Sequence, residues 1–267
     1  MKSSRLARLG RLLVALLSVF ALGAVVVASA QAVPTEGPFW KVGGNRLKAN
    51  ETREITVKAF EGTTNPIKLE AELFGIKAKV ECQDASVAKG SFFAGGAPAT
   101  SREIAEFSVC KVVNNGEGCK VKEPIKTEPV RNELVYNDET ATKTAGEKIL
   151  VEFDPEAGTE AKFVTLLFEG AKCLVKETEV GKGLVVGSAF TDPTTDGGKE
   201  EQIVPATAEQ TSTLVVFPDA EKSVFLLKGT TLELVNITPY KAFGNEAKLT
   251  GKVLVELTSK EKYGVES

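Results

Sequence analysis

Ile67-Lys-Leu-Glu-Ala-Glu-Leu73 and Ile76-Lys-Ala-Lys-Val-Glu-Cys82 are separated only by Phe74-Gly75, and their pattern decides the fold class. In the first half Ile67, Leu69, Ala71 and Leu73 alternate with Lys68, Glu70 and Glu72. In the second, Ile76, Ala78, Val80 and Cys82 alternate with Lys77, Lys79 and Glu81. A period of two puts every apolar side chain on one face of a strand and every charge on the other. The apolar parity shifts by one residue across Phe74-Gly75. A two-residue hairpin or a bulge in one long strand each produces that shift, and the poor fit of Phe to a positive φ favours the bulge.

Working outward, similar runs predict strands at about 53–60, 104–113, 147–153, 162–168, 173–180, 183–190, 212–217, 224–236 and 246–258. The last is the clearest: Ala247, Leu249, Gly251, Val253, Val255 and Leu257 share one face. Beyond the first 30 residues no window carries a sustained helical stripe, and Val, Thr, Ile and Phe favour pleated structure. The expected fold is all-β: a β-sandwich or partly closed barrel of about twelve antiparallel strands, preceded by a signal helix. The expected organisation is a signal peptide over 1–30, an extended segment over 31–50, a β-rich unit over 51–258 and a tail over 259–267. The polar stretch 137–147 is the place where the β-rich unit divides if it consists of two sandwiches.

The leader is read from three parts in order: basic Met1 to Arg11, apolar Leu12 to Val27, and small Ala28-Ser29-Ala30. Cleavage after Ala30 or Ala32 fits equally, and an uncleaved anchor is the alternative because the apolar run approaches bilayer length. Removing residues 1–30 takes away four basic residues and no acids, which moves the net charge from −3 to −7. An acidic chain argues against nucleic acid or anionic lipid as partner. The expected location is therefore secreted or at the extracellular cell surface, with no membrane insertion after signal removal and an extracellular or cell-envelope ligand.

Four cysteines, Cys82, Cys110, Cys119 and Cys173, are an even number in a chain bound for export, which reads as two disulfides with three possible connectivities. Asn114-Asn115-Gly116 supplies hairpin-turn residues between Cys110 and Cys119, so a bridge across that hairpin is expected, leaving Cys82 to join Cys173. No Cys-x-x-Cys pair supports a thiolate metal site.

The missing residue types narrow the chemistry. The chain contains no His, so no imidazole is present to shuttle protons in a Ser-His-Asp or Cys-His mechanism, and His-ligated zinc or haem is excluded. No cofactor is expected. Ser86-Val-Ala-Lys89 has the spacing of a Ser-Lys nucleophile, but it lies in a strand-rich segment without the partner motifs. Asp192, Thr194, Asp196 and Glu200, with Gly197 between them, follow a calcium-binding loop at several positions, but Ile203 stands where a bidentate Glu belongs. Acid pairs such as Asp154 with Glu156, or Asp219 with Glu221, are the raw material of a glycoside hydrolase. Pro38-Phe39-Trp40 is the one dense aromatic patch, and it is expected to pack onto the core.

The leader, the Phe74-Gly-Ile-Lys-Ala-Lys-Val-Glu-Cys82 and Phe107-Ser-Val-Cys110 strands and the nearby Cys119 resemble secreted, β-rich, uncharacterised proteins of high-GC Gram-positive bacteria. The resemblance implies an exported, disulfide-bonded fold, and it carries over no activity and no functional residue. Together these features lead to the expectation of a non-enzymatic extracellular structural or binding module; a carboxylate-based glycan hydrolase is the alternative. N-terminal sequencing of the secreted protein is expected to start at Gln31 or Val33, and a start at Met1 would contradict the leader.

Overall fold

The computed structural model describes residues 37–60, 66–96, 99–136, 149–183, 185–191, 209–217, 223–228, 231–236 and 241–266. These residues form twenty-one strands and no helix. The first eleven are β1 (Phe39–Val42), β2 (Asn45–Arg46), β3 (Thr52–Ala59), β4 (Ile67–Leu73), β5 (Ile76–Val87), β6 (Phe92–Ala94), β7 (Thr100–Glu103), β8 (Ala105–Val113), β9 (Lys120–Val121), β10 (Ile125–Lys126) and β11 (Val130–Tyr136). The remainder are β12 (Ile149–Pro155), β13 (Lys162–Glu169), β14 (Glu177–Gly181), β15 (Val185–Thr191), β16 (Ser212–Phe217), β17 (Ser223–Lys228), β18 (Thr231–Asn236), β19 (Lys241–Ala242), β20 (Asn245–Leu257) and β21 (Tyr263–Glu266).

β4 and β5 are a hairpin with a two-residue turn, not a bulged strand, in register from Ile67 opposite Cys82 to Leu73 opposite Ile76. Phe74 takes φ 51° and Gly75 φ 79°. A turn of this kind demands positive φ at both central residues, and the paired strands on either side outweigh the unfavourable Phe conformation. The Phe74 ring is 77% exposed, so burial offers it no compensation.

Following the antiparallel pairings from β3 through β6, β7, β11, β12, β15, β16 and β20 leads back to β3. This ring of eight strands leaves no open edge. A second ladder runs β10, β8, β5, β4, β20, β19, β14, β13, β9. Its two edges are joined by one segment. Val121 lies opposite Phe168 of β13, and Ile125 lies opposite Phe107 of β8.

β20 belongs to both ladders. Its first half pairs with β4, Ala247 opposite Ala71, and its second half with β3, Val255 opposite Val57. Gly251 stands at the changeover with φ 143°, and a Cβ there would lie 2.8 Å from Ile67 Cα. Only Gly combines that backbone angle with so close an approach.

The apolar side chains gather in two clusters. One, around Ile55, Leu134, Val151 and Val255, fills the ring; the other, around Val80, Leu166, Phe168 and Val180, fills the second ladder. Trp40 enters the first cluster, 2% exposed, stacked on Phe93 with ring centroids 3.8 Å apart. Its indole N–H donates to the Thr100 carbonyl at 2.9 Å. The aromatic patch thus packs on the core as expected. β1 also pairs with β21, so the segments placed at the two ends of the β-rich unit form a small sheet with each other. The stretch 137–147, suggested as a boundary, lies outside the described residues, as does the leader. The flanking strands β11 and β12 pair over their full length, Val130 opposite Pro155 to Tyr136 opposite Ile149.

The disulfides correct the expected connectivity: Cys82 bonds Cys110, and Cys119 bonds Cys173. Cys82 and Cys110 face each other directly across β5 and β8. The chain rejoins β8 only at β10, and the Asn114 to Gly118 turn does not bring Cys119 opposite Cys110. It docks on the turn before β14, where buried Asn115 donates from Nδ2 to the Val175 carbonyl and accepts the Val175 N–H at Oδ1. That brace carries Cys119 to Cys173, away from Cys110. Closing loops of these lengths stabilises by about 3.5 and about 4 kcal/mol in the chain-entropy model. Non-reducing peptide mapping is expected to recover Cys82 linked to Cys110 and Cys119 linked to Cys173. The Cys82→Ala/Cys110→Ala variant is expected to lose about 3 kcal/mol in urea unfolding.

Candidate functional site

The structure disperses the sites suggested by the sequence. Ser86 lies on strand β5 and Lys89 in the turn after it, so no helix start activates the serine. Asp154 is bound by Arg131 at 2.9 Å, and Glu156 by Arg102 at 2.9 Å, so this acid pair is divided between two cations. Asp219 and Glu221 lie outside the described residues, as do Asp192, Thr194, Asp196 and Glu200 of the calcium-like loop. Among the described residues no three His, Cys, Asp or Glu side chains gather as metal ligands.

Residues of the ring and of the second ladder instead line a partly open cavity of about 170 Å³ that borders both apolar clusters. Its walls are mostly aliphatic and aromatic: Val57, Val151, Phe153, Phe217, Leu249 and Val253 are among them. Alternation along the ring strands puts these side chains inside, for example Val151 and Phe153 on β12.

One part of the wall is polar. β7 turns Ser101 and Glu103 inward, and β11 turns Val130 and Asn132 inward. Asn132 stands opposite Ser101, and Val130 opposite Glu103, so Asn132 and Glu103 are diagonal neighbours on one face of the sheet. The Asn132 side chain hydrogen-bonds Glu103. Asn132 is only 3% exposed, and its Oδ1 has no hydrogen-bond partner among the described residues. A buried amide oxygen left unpaired costs about 1–3 kcal/mol, so this atom marks a place where the fold is not at its most stable.

Glu103 is half-buried and carries its carboxyl group on an element that lines the cavity. Burial pushes the carboxyl up to about 7, against the smaller opposing effect of the bond from Asn132. Among the described residues no Lys or Arg lines the cavity. Apart from disulfide-bonded Cys82, Glu103 is the one ionisable side chain among the described residues lining it.

A second raised carboxyl lies on the other face of the sheet. Glu152, between inward Val151 and Phe153, is pushed up to about 7 by burial, by Glu133 directly opposite on β11, and by Asp154. Arg131 bonds Asp154 and lies 3.8 Å from Glu133, leaving Glu152 Oε2 without a partner among the described residues. The two proton-holding carboxyls therefore face opposite sides of one sheet and do not converge on a common cleft.

Sequence reasoning missed Glu103, Asn132 and Glu152. The usable signal was inward parity: Ser101 and Glu103 share a face two residues apart, as do Asn132 and Leu134, but each strand is short or broken by polar residues. No known family matches this chain, and no curated protein and no solved structure matches it.

Glu103 keeps its proton in the folded state up to about pH 7 but loses it near 4.5 when unfolded. The unfolded chain binds fewer protons in that window, so stability falls as pH rises from 4.5 to 7 and then levels. The fall amounts to about 3 kcal/mol at most for this one group. Glu70, bonded by Lys79, and Glu256, bonded by Lys260, are held below the ordinary value and act with opposite sign at more acid pH. Urea unfolding between pH 4.5 and 8 is expected to show the decline in the wild type and a shallower one in Glu103→Gln. Identical slopes would contradict the assignment.

Proposed function

We propose that this protein is an exported, non-enzymatic binding module that holds a small, mainly apolar ligand in the cavity between its two ladders. The observation that carries this reading is the cavity itself. Interiors are normally packed to crystal-like density, and an unfilled apolar space forfeits contacts on every wall. A space of about 150 Å³ with such walls is enough to accept benzene. Here it is joined to a small set of convergent polar groups, the usual make-up of a ligand site.

The remaining features fit the same reading. Two disulfides suit an oxidising compartment and tie β5 to β8 and the β9 region to the turn after β13. A chain without His has no imidazole for general acid–base work. The glycan-hydrolase alternative has Glu152 and Glu133 as its best-placed pair, but Trp40, the single Trp, is buried against Phe93 and offers no platform for a sugar.

Toluene is a suitable probe of the cavity. At saturation it is expected to raise the unfolding midpoint by about 5 °C. Val57→Phe, which fills the space, is expected to remove that effect without lowering the midpoint of the free protein by more than a few degrees. Toluene without effect on the wild type would contradict the cavity as a ligand site.

A further inference from the structure

The polar end of the cavity presents two acceptors, Asn132 Oδ1 and the ionised Glu103 carboxylate, beside the Ser101 hydroxyl, which both donates and accepts. The Asn132 side chain is a hydrogen-bonding neighbour of Glu103, while its Oδ1 is buried and has no partner among the described residues. The Glu103 carboxylate, when ionised, is also an acceptor only. Among the described residues the cavity wall supplies no cation, so a cationic ligand is the partner best suited to a charge on Glu103. An anionic ligand meets repulsion there, and a hydrocarbon leaves both acceptors unsatisfied. A compact donor with several N–H groups and a positive charge satisfies both at once.

Resting on the cavity as the ligand site, we propose that its ligand class is a small apolar primary amine, bound as the ammonium. The ammonium sits between the Glu103 carboxylate and Asn132 Oδ1, and the hydrocarbon body lies against Val151, Phe153 and Val253. The volume limits that body to about the size of one aromatic ring. The largely apolar wall strengthens the ion pair relative to one at the surface. No covalent step is involved. Binding exchanges the proton of Glu103 for the ammonium, so amine uptake releases a proton to solvent wherever Glu103 is protonated beforehand.

The test is isothermal titration of the full secreted chain with toluene, benzyl alcohol and benzylamine, which share a ring and differ in the head group. At pH 8 benzylamine is expected to bind at least tenfold more tightly than toluene. In Glu103→Gln that advantage is expected to fall to twofold or less while toluene binding persists. Titrations of the wild type at pH 6 in buffers of different ionisation enthalpy supply a readout that needs no variant: benzylamine is expected to release close to one proton per site and toluene none. Equal affinities for toluene and benzylamine, an advantage that survives Glu103→Gln, or no proton release would overturn the amine assignment and leave the cavity reading standing. Binding of none of the three probes would overturn both.

Discussion

Sharing one strand between two ladders is the constraint on which this fold depends. β20 runs thirteen residues from Asn245 to Leu257 and contributes its first half to one ladder and its second half to the other. Gly251 makes the changeover by giving up a side chain where Ile67 presses against the backbone. Because the strand is continuous, the two apolar clusters lie end to end along it. Phe107, Phe153 and Leu249 pack against both. The cavity is lined by side chains from both clusters.

Within that space, the wall departs from apolar packing where β7 meets β11. A native interior rarely keeps a carboxyl group and an unpartnered amide oxygen together, since each is costly to bury and apolar residues of the same size would be neutral or stabilising. Glu103 meets the difficulty by holding its proton to about pH 7. Asn132 has no comparable remedy for its oxygen. Their position on the cavity wall, and not deep in one of the packed clusters, ties the loss of stability to the cavity.

The long strands were legible because their alternation is strict. The expected boundaries at 67–73 and 212–217 coincide with β4 and β16, and 104–113 differs from β8 by one residue. The segment expected over 224–236 is two strands, β17 and β18, paired Val224 opposite Val235. The short strands were not legible: β6, β9, β10 and β19 have two or three residues each, too few to show a period. β11 reaches seven residues, but Asn132 and Glu133 interrupt its pattern, and the same Asn makes it part of the candidate site. Phe74 failed for another reason, since long-range pairing of β4 with β5 and of β4 with β20 overrides the local preference of one turn residue. The cysteine pairing was hidden because it depends on Asn115, whose side-chain bonds to Val175 span sixty residues.

The space between the ladders is an apolar pocket bordered by Glu103 and Asn132. A crystal of the mature protein pressurised with xenon tests this most directly, because xenon occupies apolar cavities and scatters strongly. A xenon peak is expected between Phe153 and Val253, within reach of the Glu103 side chain. Continuous protein density across that region, with no xenon site, would contradict it.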